Sequence, residues 1–250
     1  MISDQSHLPS PQPDAVARKV LLVSAAVTLV LYLIPYGRYL ARPLLLLSTL
    51  AHEMGHGLTA LLLGGSFRRL AVWPSGAGLA DLDLAGFGRI RQGLTLAGGL
   101  VGPSVAAALC FVLGKTGQGA RRCLLGVGLL LAAAEILVIR NLFGLFFAGV
   151  IAAGCLFVGL RCAPEIAQWV AVFLGTQLSL SVFSRADYLF KKTAANPSGT
   201  YPSDVLQMQY ALFLPYWLWG FVCGAFALLV LLYGLRTFWG KTPLRRPSRR

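Results

Sequence analysis

Residues 43–64 read PLLLLSTLAHEMGHGLTALLLG. A bilayer's hydrocarbon core takes about 20 apolar residues of helix, so this stretch is long enough to span one. Yet its middle carries His52, Glu53 and His56, three of the more expensive side chains to place there. Four residues at about 100° each bring His56 back under His52, one turn along the same face. Two imidazoles so placed can share one zinc ion, and Glu53 beside them can take a proton from a water that zinc activates. The plainer reading is a pair of helix-packing histidines with Glu53 as their hydrogen-bond partner. Ala51, Gly55, Gly57 and Ala60 would serve either reading by letting neighbouring helices approach.

The rest of the chain agrees with a membrane setting. Of 250 residues, 56% are hydrophobic and 12% charged, about half the charged share of a soluble domain. Mean hydropathy is +0.69. Apolar runs lie near 20–37, 43–64, 93–114, 123–139, 143–160, 166–185 and 211–235. The fourth and fifth are separated only by Arg140, Asn141 and Leu142, so six or seven spans are expected, with a tight hairpin or a re-entrant segment at that break. The predicted fold class is all-α: a polytopic helical membrane protein with a short strand-like hairpin after the HExxH helix. Residues 66–91 alternate apolar and polar with repeated glycines, which predicts that hairpin. Residues 186–208 are a second polar connection holding an Asn-Pro-Ser-Gly turn signal. Three segments follow: a polar tail at 1–17, one membrane-embedded domain at 18–238, and a basic tail at 239–250.

A net charge of +13 would suggest nucleic acid in a soluble chain. Here the basic residues flank apolar runs and fill the C-terminus, where anionic headgroups meet a membrane protein, so nucleic acid is not an expected partner. Lys and Arg divide too evenly to orient the chain; the basic C-terminus weakly favours a cytoplasmic end. The five cysteines form no CxxC pair and read as buried thiols.

A catalytic zinc takes three protein ligands. The remaining histidine, His7, lies in the polar tail, so an acid is expected. Two aspartates suit. Asp187 closes the sixth apolar run, which slightly favours it, although it could pair with Arg185, Lys191 or Lys192. Asp204 precedes the seventh run, although Ser203-Asp204 after Pro202 could simply start and cap a helix. Glu135, one turn before Arg140, is expected to pair with it or snorkel. Asn141 could bind substrate backbone, or be a turn residue.

AHEMGH in an early membrane helix, a glycine-containing strand-like stretch, Arg140-Asn141-x-x-Gly144 and Ser203-Asp204 together resemble the site-2 protease family of intramembrane zinc metalloproteases, in its compact bacterial M50B-like branch. The resemblance covers about residues 45–235. It implies zinc on His52 and His56, Glu53 as general base, and an aspartate from a later helix as third ligand. It implies cleavage of a membrane-protein substrate helix, and residence as a multi-pass protein of the bacterial inner (plasma) membrane. The Leu-Asp-Gly motif that carries the third ligand in better-known members is absent: Asp187 stands in Ala-Asp-Tyr and Asp204 in Ser-Asp-Val. No PDZ-like insertion is present, which leaves the short loops as substrate filter. Two rival readings stay open: an inactive pseudoprotease acting as a membrane binding module, and a metal transporter. Zinc titration with a Glu53→Gln comparison separates the first, and metal flux in vesicles the second. Oligomeric state is not legible in the sequence.

Overall fold

The computed structural model describes residues 13–34, 42–184, 186–197 and 199–240. Within them lie seven long helices: α1 (Pro13–Leu33), α2 (Arg42–Leu62), α3 (Arg89–Gly114), α4 (Gly117–Leu137), α5 (Leu142–Arg161), α6 (Pro164–Ser184) and α8 (Tyr216–Trp239). A short α7 (Asp204–Leu212) precedes the last, and a 3₁₀ turn (Ala186–Phe190) follows α6. Two antiparallel hairpins complete the chain: β1 (Ser66–Val72) with β2 (Gly78–Asp83), and β3 (Thr193–Asn196) with β4 (Gly199–Pro202).

Four stretches among the described residues are long and apolar enough to cross a membrane: Arg89–Gly114, Leu142–Arg161, Pro164–Phe190 and Tyr216–Trp239. The protein is thus a helical membrane protein. Its outward residues suit lipid rather than water, as at Leu142, Phe146, Phe221 and Leu229.

The seven apolar runs correspond to the seven long helices, with one adjustment. The run read as 211–235 is broken: α7 stops at Phe213, whose φ of 66° is left-handed, and Pro215 precedes the first turn of α8. The first helix begins at Pro13, ahead of the boundary read at residue 18. The residues 66–91 hairpin forms as expected. The β3–β4 hairpin was signalled only by its turn, because four-residue strands leave too little alternation to read. His7, Arg185 and residues 241–250 lie outside the described residues.

Small residues set the helix spacing. Where α2 crosses α3, Gly55 faces Gly98 and Gly102, and a Cβ on Gly55 would stand 2.3 Å from the Gly98 carbonyl oxygen. In lipid, such backbone approach supplies the packing that water would otherwise drive. The first hairpin is held just as firmly. Gly64, at φ 87°, follows the end of α2 and redirects the chain into β1. At the tip, Gly76 donates to the Trp73 carbonyl across Pro74 and Ser75. On its other edge β1 bonds to the α4–α5 break: Leu70 N–H donates to the Val138 carbonyl (2.8 Å) and Arg140 N–H to the Leu70 carbonyl (3.1 Å).

Candidate metal centre

The HExxH stretch is helical, and its polar face turns inward: Glu53 and His56 are buried and His52 is half-buried. Gly99 on α3 makes room for the His56 ring, since a Cβ there would lie 2.1 Å from Nε2. The His56 Nδ1–H donates to the Thr95 carbonyl at 2.9 Å, which leaves the Nε2 lone pair free to bind a cation. Thr49, one turn before Glu53, donates to the Gly76 carbonyl at 2.8 Å and ties the hairpin tip to α2. Gly78 on β2 is the matching space beside Glu53: a Cβ there would fall 2.3 Å from Oε1.

The third donor comes from α7. Ser203 caps this helix, accepting from Leu206 N–H and donating to the Lys191 carbonyl. Val205 and Met208 anchor it against Leu100 and Cys223. Asp204, the first helical residue, then turns its carboxylate onto both imidazoles. Oδ2 is 3.1 Å from His52 Nε2 and 3.4 Å from His56 Nε2. The two Nε2 atoms are 3.2 Å apart. Ser203-Asp204 therefore starts a helix and also delivers the acid.

This donor set fits a metal ion. Ligands about 2.0–2.1 Å from a tetrahedral zinc stand roughly 3.4 Å from one another, close to the three spacings seen. Two lone pairs and a carboxylate aimed at one point repel unless a cation lies between them. Among the described residues, His52, His56 and Asp204 are the group placed to hold a metal.

The other singled-out residues lie elsewhere. Asp187 is exposed in the 3₁₀ turn and pairs with Lys191. Asn141 faces β1: its Oδ1 accepts from Val72 N–H (3.2 Å) and its Nδ2 donates to the Val72 carbonyl (2.6 Å), so its amide stands in for a neighbouring strand. The pairing expected of Glu135 and Arg140 does not form. Arg140 donates to the Ile136, Leu137 and Ile139 carbonyls at the end of α4, where a cation meets the helix's unpaired acceptors. Glu135 instead lies against Gly149 with one buried oxygen lacking a partner.

The sequence reading missed Tyr188. Its hydroxyl donates to Asp204 Oδ2 at 3.3 Å, and its ring stands edge-on to His52 with centroids 5.8 Å apart. The only local signal was an aromatic beside the candidate Asp187.

These residues open into a cleft of about 410 Å³. Ser75–Gly78 of the first hairpin form one wall and Thr193–Ala195 of the second form the other, with His52 and Glu53 at the base. The chain matches the Peptidase M50B-like family over residues 22–234. The chain belongs to that family. Site-2 protease membership therefore stands on most of its length, and the family implies a membrane metallopeptidase. No curated protein and no solved structure gives a match to it.

Proposed function

We propose that this M50B-like protein is an intramembrane zinc endopeptidase that hydrolyses peptide bonds of membrane-protein substrates. The observation that carries the reading is the convergence of His52 Nε2, His56 Nε2 and Asp204 Oδ2, with Glu53 beside them at the base of a cleft. His52, His56 and Asp204 would hold the ion, and Asp187 would not. Zinc bound there would supply Lewis acidity, polarising the scissile carbonyl and making water a stronger acid.

The chain's own groups do the rest. Glu53 takes the proton from the attacking water as the new C–O bond forms. It then passes that proton to the amide nitrogen as the C–N bond breaks, releasing a carboxylic acid and an amine. The Thr95 carbonyl keeps His56 in one tautomer. Tyr188 holds the Asp204 carboxylate toward the two rings. A substrate helix must unwind before its carbonyls can react, because helical carbonyls are already hydrogen-bonded. The hairpin walls give the unwound segment a polar place to lie, and water reaches Glu53 by the same cleft. Asn141 contributes by fixing β1, and hence the cleft wall, to the α4–α5 break; contact with substrate backbone would require it to release Val72.

In this reading all seven long helices cross or enter the bilayer, of which four do so on length and composition alone. The bacterial inner membrane is the proposed location, by likeness to the compact bacterial branch.

The test compares wild type, Glu53→Gln and His56→Ala, purified in detergent, for bound zinc and for cleavage of single-helix membrane substrates. About one zinc per chain in wild type and in Glu53→Gln is expected, with cleavage by wild type alone. Absence of zinc from wild type would reduce the histidines to packing residues. Zinc with no cleavage of any substrate would favour a binding module.

A further inference from the structure

On the side of α2 facing away from the catalytic cleft lies a second, larger cavity of about 1060 Å³. Helices α2, α3, α4 and α8 form its walls, and it follows α3 from Ile90 to Leu113. At 1.5 Å per residue that is roughly 35 Å, the thickness of a bilayer's apolar core and its borders. Its lining is aliphatic along the whole length, as at Leu58, Leu62, Val105, Leu109 and Leu130. Several of these stay exposed, Leu62 to 87%.

One lining residue is charged. Arg122 heads the α4 stripe that continues through Gly126 and Leu130 into the groove. It is exposed and makes no hydrogen bond or ion pair with any described residue. Three other cations at this end of the bundle are engaged. Arg121 donates to the Gly159 and Leu160 carbonyls, Lys115 to the Thr237 and Gly240 carbonyls, and Arg18 to the Trp239 carbonyl. Those carbonyls are helix ends, so Arg122 stands at the membrane border among other cations, with Glu165 the nearby acid in the first turn of α6. Arg122 is thus an exposed cation, without a partner among the described residues, at the border end of an apolar channel.

We propose that the groove binds an anionic glycerophospholipid, with its phosphate on the Arg122 guanidinium and an acyl chain along the α2–α3–α4 wall. A guanidinium offers a phosphate paired donors in a fixed fork, and a phosphate at the border of a membrane belongs to a lipid. The apolar wall accounts for the chain and Arg122 for the headgroup charge. Met208 and Leu212 of α7 line the same groove as Leu58 and Gly55 of α2, so the lipid touches both helices that carry the metal-binding side chains. The proposal does not depend on the peptidase reading.

The test measures lipid retained by the purified full chain, by native mass spectrometry, after exchange into mixed micelles of phosphatidylglycerol and phosphatidylcholine with matched acyl chains. Wild type is expected to prefer phosphatidylglycerol by about fivefold, the effect of one basic side chain at a membrane surface. Arg122→Gln brings the two lipids to parity, and Arg122→Lys recovers part of the preference. Gly126→Leu lowers retention of both lipids, because a side chain at Gly126 meets open space and fills the groove without displacing a helix. Arg236→Gln, an equal loss of charge at an exposed position of the α8 end, leaves the preference intact. Parity in wild type, an Arg236→Gln loss equal to that of Arg122→Gln, or no effect of Gly126→Leu would overturn the proposal. So would disulfide capture of a single-helix substrate peptide, bearing a mid-helix cysteine, by Gly126→Cys, since a protein helix would then occupy the groove.

Discussion

The two sides of α2 face opposite solvents. On one, Thr49, His52 and Glu53 open to a cleft of about 410 Å³ between two hairpins, and His56 is buried beside them. On the other, Leu47, Ala51, Leu58 and Leu62 face an apolar groove of about 1060 Å³. The difference is a rotation about one helix axis. An apolar face in a bilayer needs no partner, because lipid tails solvate it. A polar face does, and here each polar group is met by an element from elsewhere: Thr95 from α3, Gly76 from the first hairpin, Asp204 from α7. The candidate metal centre sits on the face that the rest of the protein had to complete.

The comparison breaks most visibly at Glu53. Glu53→Gln should lower kcat by about 10²–10⁴ with zinc content unchanged, the range for a lost general base. If the variant also loses zinc, Glu53 belongs to the binding set and the division of roles is wrong. Next comes the pair of aspartates. Asp204→Ala should weaken zinc binding by more than the roughly 10–100-fold that partners outside the ligand set command, read by chelator competition. Asp187→Ala should leave it unchanged, and a loss there would mean that the 3₁₀ turn reorganises when metal binds. Tyr188→Phe tests the second layer: about tenfold weaker zinc is expected, at the low end of that range. Unchanged affinity with altered kcat would place its hydroxyl on substrate instead.

The apolar face offers a smaller effect. Gly55→Leu puts atoms where the Gly98 carbonyl lies and should destabilise the fold by about 1–3 kcal/mol, whereas Gly126→Leu should be near neutral. Thermal unfolding in detergent would rank them, and equal losses would mean that the α2–α3 crossing is not the tight contact. The smallest effect is at the first hairpin. The Ala85 N–H and the Arg68 guanidinium hold the Asp83 carboxyl below its ordinary value. A lowered folded-state value favours the folded hairpin above the ordinary carboxylate range and loses that contribution as pH falls through the lowered value. Hydrogen-exchange protection of the β1–β2 amides, relative to the intrinsic rate at each pH, should therefore fall only in acid, and Asp83→Asn should remove that dependence.

Much of this was legible in advance, and unevenly. Helix positions followed from apolar run length, since a bilayer forces backbone satisfaction within each segment. The one run misjudged, at 211–235, is interrupted by Phe213 and Pro215 within an otherwise apolar stretch. His52 and His56 could be paired because one helical turn is local geometry. A Glu135–Arg140 pair was one of two readings offered on the same logic, and the structure sends Arg140 to backbone carbonyls instead. Spacing shows which side chains can meet, but not which competing acceptor they take. Asn141 shows the same limit, because its partner on β1 is remote in sequence.

By itself the sequence determined a helical membrane protein, the HExxH face, Glu53 beside it and the hairpin that follows. These rest on periodicity and on the price of polar groups in lipid, both readable within one segment. Only the tertiary structure brought Asp204, and not Asp187, to the two histidines, set Tyr188 beside them, and opened the groove headed by Arg122. The two aspartates carry the same charge in similar polar stretches. What separates them is that α7, capped by Ser203 and anchored by Val205 and Met208, turns one carboxylate back onto α2. That choice is made by packing between segments, which no single segment encodes.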